Sequence, residues 1–282
     1  MTTAVSVVFY HPDHDAIDSA KSLTACFDYV IVIDNSDTEC DAVKGIEKLI
    51  YLPLHENKGI AYALNVGLSK AKELQADILL TMDQDSRYPL SEHEIILKDV
   101  QAYHQDDIAI YAMATKEYQA QHTDGEGSFV HDAITSGNFL YLDVLTKHAI
   151  TFSDDLFIDY VDFEFNRQIL KAGLKIYQSY RHAFDHKIGN PEQHSILFFH
   201  FTCMNHAPIR YYYRFRNATY LYKIDRKYYQ KLYFKTRVID KIKMAFYDTD
   251  KKEKRRMIRQ GIRDGRHKQL GAYQKNHSNG VK

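Results

Sequence analysis

The stretch "ADILLTMDQDSRYP" (residues 76–89) holds the pattern that decides the fold. Its apolar run, Ile78 to Met82, stops at Asp83, and a second acid, Asp85, follows two residues later. The polar residues and the proline that come next break the apolar pattern. The stretch therefore predicts a buried strand that ends on two carboxylates, with only Gln84 between them.

Three similar apolar runs precede this strand: "AVSVVFY" (4–10), "YVIVIDNS" (29–36) and "KLIYLPL" (48–54). Between the last of them and residue 76, apolar residues recur at helical spacing, namely Ile60, Ala63, Leu64, Leu68, Ala71 and Leu74. Strands that alternate with helices indicate a parallel sheet covered by helices on both faces. We therefore expect an α/β, Rossmann-like nucleotide-binding sheet, with its ligands at the carboxyl ends of the strands.

The pattern changes in the second half of the chain. The predicted elements are strands at 108–115, 133–142 and 174–179, a polar loop at 121–131, and a helix at 157–173 that Gly173 closes. From Tyr211 onward the chain is predicted to be mostly helical. We expect one domain over 1–225, made of a nucleotide-binding half (1–107) and an acceptor half (108–225), followed by a helical basic extension over 226–282.

The composition limits the classes of partner. Lys plus Arg and Asp plus Glu are both 37, so the total charge is balanced and by itself says nothing about partners; no nucleic-acid partner is expected. From Lys251 to the end, however, eleven Lys or Arg face two acids. The three cysteines have no metal-type spacing and suit a reducing compartment, so we expect a cytoplasmic protein. The apolar cluster "SILFF" (195–199) is far too short to span a bilayer.

Asp83 and Asp85 raise a chemical problem, because two carboxylates held close together repel each other. A divalent cation removes the repulsion, and carboxylate and phosphate oxygens suit Mg²⁺ or Mn²⁺. The motif thus predicts a metal clamp on a diphosphate. Two alternatives are a pair of solvated loop acids and a phosphatase whose first Asp is the nucleophile. The phosphatase is disfavoured because Ser86 stands where Thr is usual and three strands come first.

Four other stretches are candidates for chemistry, and each has a structural alternative. Asp34 ends a strand and can accept a ribose or base hydrogen bond, or cap a turn. Asp162 lies in an aromatic segment, where a carboxylate can be a general base or simply an exposed acid. His186 lies in a polar loop after a strand. "RYYYRFRN" (210–217) can bind phosphate or form a helix with a buried aromatic stripe.

In this order the stretches resemble the family 2 inverting glycosyltransferases with the GT-A fold, and most closely the bacterial rhamnosyltransferases of surface-polysaccharide assembly. The resemblance covers about residues 4 to 220. It rests on "VVFYHP", "VIDNS", "ENKGIAYALNVGL", "LLTMDQDS", "AITSGNFLYL", "LFIDYVDFEFNRQI", "HKIG" and "YYYRFRN". Each motif is weak by itself, but eight motifs in the same order are specific.

The resemblance implies a role for each matching residue. Asp162 corresponds to the base that deprotonates the acceptor hydroxyl. The metal ligands would be Asp85 and His186. The residues expected to bind the nucleotide sugar are His11, Asp34, Asn57, Asp83, Arg216 and Asn217. The sequence departs from the family pattern at Val161, where an acid is common, and at Asn138, where small residues are usual.

The implied function is metal-dependent, inverting transfer of a sugar, L-rhamnose from dTDP-L-rhamnose, to a growing, lipid-linked glycan. A transferase of the same fold that uses a UDP-hexose is the alternative within the family. A nucleotidyltransferase would carry a Gly-rich phosphate loop near the first strand, and "FYHPDHD" contains no Gly. A carbohydrate-binding module without catalysis would need neither the Asp83–Asp85 motif nor a cation.

The basic segment 251–268 also predicts contact with the inner face of a membrane. Apolar residues upstream recur at near-helical spacing: Leu232, Phe234, Val238, Ile242 and Phe246. A basic helix beside an apolar face is typical of peripheral membrane binding. The alternatives are a solvated basic helix and an oligomer contact, and Gly261 and Gly265 are expected to weaken a long helix.

Overall fold

The computed structural model describes residues 1–122, 125–186, 192–196, 199–203 and 206–274. The chain divides into two compact units. Unit 1 contains Met1–Ser153 and Tyr160–Met204, and unit 2 contains Asp154–Asp159 and Asn205–Lys282. The first helix after Met204 therefore belongs to the C-terminal unit, whereas the sequence placed the domain boundary after residue 225.

Unit 1 is built on four parallel strands in the spatial order β3–β2–β1–β4. They are β1 (Thr3–Phe9), β2 (Tyr29–Asp34), β3 (Leu49–Pro53) and β4 (Ile78–Asp83). Every residue of β1 is buried, as expected for a strand that is covered on both faces. The four strands confirm the sequence prediction, and β2 and β4 each end on the predicted acid.

The rest of the sheet is mixed rather than parallel. A short strand β5 (Ser86–Arg87) follows the turn after β4, and the later strands are β6 (Ile108–Thr115), β7 (Gly127–Val130), β8 (Asn138–Tyr141) and β9 (Lys175–His186). Strand β8 runs antiparallel to both β4 and β6, and β5 and β7 pair antiparallel with β9. The predicted strand at 133–142 is thus shorter, and β7 lies within the segment predicted as a loop. A separate antiparallel pair is formed by β10 (Glu192–Ile196) and β11 (Phe199–Cys203).

Six helices of unit 1 lie in the described residues: α1 (His14–Ser22), α2 (Ile60–Glu73), α3 (His93–Ala102), α4 (Lys116–Gln121), α5 (Leu142–Lys147) and α6 (Val161–Lys171). Helix α2 confirms the spacing of apolar residues that predicted it, and its inner residues are buried. Helix α6 begins at Val161 rather than at 157, because Asp159 and Tyr160 adopt left-handed backbone conformations that a helix cannot contain. Gly173 follows its end with a positive φ, as predicted.

Unit 2 is helical in its described part. Its helices are α7 (Pro208–Ile224), α8 (Arg226–Phe234), α9 (Lys241–Tyr247) and α10 (Lys251–His267), and a π-helical segment, Lys235–Asp240, joins α8 to α9. The core between α7 and α10 is formed by Tyr211, Phe215, Met244 and Ile258, with Ile262 against them. Within the described ranges, no helix is both long and apolar enough to cross a membrane.

The glycines of α10 strengthen its packing, which corrects the expectation that they would weaken the helix. A Cβ atom at Gly261 would lie 2.4 Å from the carbonyl oxygen of Tyr212, and one at Gly265 would lie 2.3 Å from that of Arg216. Both glycines are therefore needed for the close approach of α10 to the backbone of α7. The same contact buries Met257 and Ile258 on the inner face of α10.

Candidate active site

Gln84, the middle residue of the Asp83–Asp85 turn, holds the turn in place. The side-chain amide of Gln84 donates to the backbone carbonyl of Tyr10 (3.2 Å) and accepts from the backbone N–H of the same residue (2.7 Å). Arg87 donates to the carbonyl of Gln84 at 3.0 Å. The turn after β4 is thus tied to the loop after β1, and Gln84 holds the backbone between the two acids.

Strand pairing brings a third polar residue to this turn. Strand β5 pairs with the end of β9, so that Ser86 lies opposite His186, one hundred residues later. One potential ligand atom from each of Asp83, Asp85 and His186 lies within 4.8 Å of the others. Of the "HKIG" motif only His186 falls within the described residues. The structure therefore gathers the predicted metal ligands together with Asp83, which the sequence assigned to the nucleotide.

The electrostatics of this group favour a positively charged ligand. Burial and the nearby charge of Asp85 raise the pKa of Asp83 to about 6, and His186 opposes this shift. Two carboxylates and one imidazole match the donor preferences of Mn²⁺, and the carboxylates also suit Mg²⁺. A bound divalent cation would remove the repulsion that raises this pKa. The residues present thus fit the predicted metal.

A chain of hydrogen-bonded hydroxyl groups also supports the turn, and the sequence reasoning did not find it. The backbone N–H of Asp83 donates to the Oγ of Ser136 (3.0 Å), which donates to the Oγ of Ser86 (2.8 Å). The Oγ of Ser86 lies 2.8 Å from Nδ1 of His186. The signal in the sequence was the serine directly after the two acids, which had been used only to weigh the phosphatase alternative.

Gly137 fixes the position of Ser136 in this series of hydroxyl groups. Its φ of +82° is in the left-handed region, and an added Cβ would lie 2.3 Å from the ring of Phe184. The N–H of Gly137 donates to the carbonyl of Thr81 in β4 (2.8 Å), and the Thr81 hydroxyl donates to the carbonyl of Thr135 (2.6 Å). The glycine of the "TSGN" motif is therefore required by both backbone conformation and space.

Asp34 lies at the end of β2 and is 1% exposed. One carboxylate oxygen accepts from the N–H of Ser36 (3.1 Å), and the other accepts from the hydroxyl of Tyr51 (2.6 Å) and the N–H of Cys40 (3.2 Å). Burial and this bond to Asp34 raise the pKa of Tyr51. In this structure Asp34 shapes the loop after β2, which is the turn-forming alternative of the sequence analysis.

The other predicted nucleotide residues meet the same loop. Asn57 is exposed, and its side-chain oxygen accepts from the amide of Asn35 (3.1 Å). The backbone N–H of His11 donates to the Oγ of Ser36 (2.8 Å), and the exposed imidazole lies 3.8 Å from Asp37. His11, Asp34 and Asn57 are thus connected through residues 35–37 at the carboxyl edge of the parallel strands.

Asp162 is partly buried in the first turn of α6. One of its carboxylate oxygens accepts from the N–H of Phe163 at 2.9 Å. Arg167 pairs with Glu164 through two bonds of 2.7 and 2.8 Å. Farther along the helix, Asn166 donates to the carbonyl of Ala133 (2.8 Å). Helix α6 is thereby anchored to the segment that carries Ser136.

Arg216 and Asn217 are buried in this structure, whereas the family resemblance implied that they contact the diphosphate. Both are 0% exposed, within unit 2. The guanidinium donates to the carbonyls of Asp155 (3.1 Å), Leu156 (2.8 Å) and Gly271, and to the Asn217 side chain (2.8 Å). The physical reason for the difference is that α10 covers this face of α7, and the sequence does not show which helix face is covered.

Comparison with known proteins shows which proteins this chain resembles. Residues 14–140 match the family model described as glycosyl transferase family 2. The matched range contains the ends of β2 and β4, Asn57 and Ser136. A "dTDP-rhamnosyl transferase RfbF" from Shigella flexneri is 29% identical over 212 residues, which are 67% of this chain and 69% of that protein.

Solved structures show the same fold at low sequence identity. The crystal structure of S. aureus TarS in complex with UDP-GlcNAc aligns with a TM-score of 0.55 and 13% identity over 95% of this chain and 73% of that chain. The crystal structure of GalNAc-T7 with UDP, GalNAc and Mn²⁺ aligns with a TM-score of 0.57 and 10% identity over 95% of this chain and 56% of that chain. These similarities support the predicted GT-A architecture.

Proposed function

We propose that the chain is a member of glycosyl transferase family 2 and that it transfers L-rhamnose from dTDP-L-rhamnose to a growing surface-polysaccharide chain with inversion at the anomeric carbon. The observation that carries the proposal is the group formed by Asp83, Asp85 and His186 at the carboxyl edge of a nucleotide-binding sheet. That edge is where sheets of this type bind their ligands.

The choice of donor rests on the similarity to the rhamnosyltransferase from Shigella flexneri. The solved structures of the same fold contain UDP or UDP-GlcNAc, and for this reason a UDP-hexose donor is the second candidate. The family match makes a nucleotidyltransferase or a carbohydrate-binding module less suitable than either.

Asp85 and His186 would hold a divalent cation, with Asp83 beside them. When bound, the cation supplies positive charge that stabilises the leaving nucleoside diphosphate. The hydroxyl chain of Ser136 and Ser86 keeps the turn and the imidazole in position for this ligand set. His11, Asp34 and Asn57 would line the nucleotide side, where the loop after β2 contacts the loop before α2.

Asp162 would act as the general base. Its carboxylate takes the proton of the acceptor hydroxyl while that oxygen attacks the anomeric carbon. The attack comes from the face opposite the leaving phosphate oxygen, so one displacement inverts the configuration and no covalent enzyme intermediate forms. The place of Asp162 in the first turn of α6 supports this role, because the positive end of the helix dipole favours the ionised carboxylate at the start of the reaction.

A thermal-shift panel of nucleotide sugars, with and without Mn²⁺, tests the proposal without knowledge of the acceptor. We expect dTDP-L-rhamnose to raise the melting temperature more than UDP-glucose, UDP-GlcNAc or GDP-mannose, and Mn²⁺ to increase the shift. A larger shift with a UDP-hexose would reject the rhamnose donor in favour of the second candidate. The absence of a shift with every nucleotide sugar would reject the transferase proposal itself.

A further inference from the structure

An apolar stripe lies on the outside of the helical segment formed by α8, the π-helical segment and α9 (226–247). Its members are 38% to 69% exposed, and they are Phe234, Val238, Ile239, Ile242 and Phe246. Such a contiguous apolar surface on a folded unit is typical of a binding face.

The π-helical segment keeps this stripe straight. Phe234, Val238, Ile242 and Phe246 are spaced four residues apart, and on an ideal α-helix a four-residue repeat drifts by about 40° at each step. The wider turn of the π-helix over Lys235–Asp240 rotates the repeat in the opposite sense. The four side chains therefore stay on one side of the segment.

The opposite side of the same segment is buried. Tyr229, Thr236 and Met244 are each at most 1% exposed, and Met244 packs against Tyr211 and Phe215 of α7. The stripe is thus a second apolar face in addition to the one that packs against the rest of unit 2.

Basic residues greatly outnumber acidic ones around the stripe. Between residues 226 and 247 there is one acid, Asp240, which is paired with Arg214 at 2.7 Å. The same range has seven basic residues, namely Arg226, Lys227, Lys231, Lys235, Arg237, Lys241 and Lys243. At helical spacing, Lys231 and Lys235 fall on one side of the stripe and Lys241 on the other, and all three are exposed.

We propose that the segment 226–247 binds the surface of an anionic lipid bilayer, with the stripe inserted among the lipid headgroups and the flanking lysines on the lipid phosphates. An apolar face bordered by Lys and Arg is the pattern of helices that lie in a membrane interface. A second copy of the chain suits the surface less well, because two such basic segments would repel each other.

This surface shares Phe234, Val238, Ile242 and Phe246 with the one that the sequence suggested, but its basic residues come from 226–247 rather than from 251–268. The outer face of α10 is basic, with exposed Lys252, Arg255 and Arg259, but its apolar residues point inward. Lys254 is 1% exposed and pairs with Asp248 at 2.8 Å. Helix α10 can therefore contribute charge but has no apolar face for insertion. The proposal concerns unit 2 alone, so an experiment can reject it without rejecting the glycosyltransferase proposal.

The lack of tryptophan makes a direct test available. In full-length Phe246→Trp the only indole is on the stripe, and in the control, Phe129→Trp, it is at an exposed position of unit 1. Vesicles of phosphatidylcholine with about one third phosphatidylglycerol should shift the emission of the first variant to the blue and leave the second unchanged. Brominated lipid should quench only the Phe246→Trp signal.

Flotation with the same vesicles measures the contribution of the stripe. We expect the parent chain to float at low salt, and Phe234→Ser/Ile242→Ser/Phe246→Ser to partition at least about tenfold less. The matched control, Ile95→Ser/Phe129→Ser, should float like the parent. Unchanged emission of Phe246→Trp, or flotation of the triple variant like the parent, would overturn the proposal. So would a concentration-dependent dimer that the triple substitution abolishes while the parent does not float.

Discussion

The turn at Asp83–Asp85 and the Arg216–Asn217 pair of α7 both concentrate polar side chains, but they leave them in opposite states. Asp83, Asp85 and His186 remain at least partly exposed, and the two acids repel each other. The donors of Arg216 and Asn217 are directed to backbone carbonyls and to the Asn217 side-chain oxygen, and they are sealed from solvent. The first group is in a less favourable electrostatic state without a ligand, whereas the second is already satisfied.

This difference indicates where a ligand changes the energy of the molecule. A cation at the turn would replace repulsion with coordination, which is a favourable change in free energy. A diphosphate at Arg216 would first have to displace hydrogen bonds that hold residues 155–158 in unit 2. The predictions below test this contrast, beginning with the largest expected effect.

Asp85→Ala should abolish sugar transfer and the Mn²⁺-dependent part of dTDP binding, because the cation loses a carboxylate ligand. Transfer can be measured as dTDP release, and binding by calorimetry with and without Mn²⁺. Asp18→Ala, on the exposed side of α1, is the control and should behave like the parent. Mn²⁺-dependent binding that survives in Asp85→Ala would remove the turn from the metal site.

Asp162→Asn should reduce turnover by about 10² to 10⁴, because the amide keeps the shape of the side chain but cannot accept the proton. The affinity for the donor should stay close to that of the parent. Asp143→Asn on α5 is the matched control. Parental turnover in Asp162→Asn would show that this carboxylate has only a structural role at the start of α6.

The sequence predicted the parallel strands well because each of them is a continuous apolar run that ends on a polar residue. Asp34 and Asp83 were therefore placed at the correct edge of the sheet. The sequence predicted β8 less well. This strand lies between β4 and β6 and pairs antiparallel with both, so its bounds depend on residues far away in the chain. The start of α6 was predicted too early, because a left-handed backbone conformation at a residue other than glycine cannot be recognised from the residue type.

The candidate site shows the same limit. The two acids of the turn could be read from the sequence, and His186 was a candidate whose role as a metal ligand came only from the family resemblance. The hydrogen bonds of Ser86 and Ser136 required the pairing of β5 with β9 and the tight turn at Gly137. The burial of Arg216 could not be predicted because helix residues point in all directions, so that packing of α10 decides which of them are covered.

Ser86→Ala should weaken the binding of Mn²⁺ by about 10- to 100-fold, because the Ser86 hydroxyl, 2.8 Å from Nδ1 of His186, holds the imidazole in its orientation beside the two carboxylates. Mn²⁺ affinity can be followed by electron paramagnetic resonance of the free ion. Ser22→Ala is the control, because this hydroxyl donates to the carbonyl of Ser19 within α1 and not to the turn, and it should have no effect. Equal affinities in Ser86→Ala and the parent would mean that the hydroxyl chain does not serve the metal site.

Asp83→Asn should stabilise the metal-free protein at pH 8 by roughly 1–2 kcal/mol, and the gain is kept small because water reaches the partly exposed side chain. The folded protein holds this proton more tightly than the unfolded chain, since the pKa is raised to about 6 from 3.8. Stability is therefore lost as the pH rises between these values, and the loss is complete above about 6. Unfolding in urea with EDTA at pH 5 and pH 8 measures it, and a gain that does not increase with pH would contradict this account.

The smallest effect is expected for Arg216→Lys on donor binding, and it tests the contrast most directly. If Arg216 only holds residues 155–156 and Gly271 within unit 2, the dissociation constant for dTDP-L-rhamnose should change by less than about twofold. The melting temperature should fall, because lysine cannot reach all of these carbonyls and leaves buried acceptors without donors. Arg214→Lys, which keeps a cation near Asp240, should lower it less. A large loss of donor affinity at a temperature where Arg216→Lys is still folded would instead place this guanidinium at the diphosphate, as the family resemblance implied.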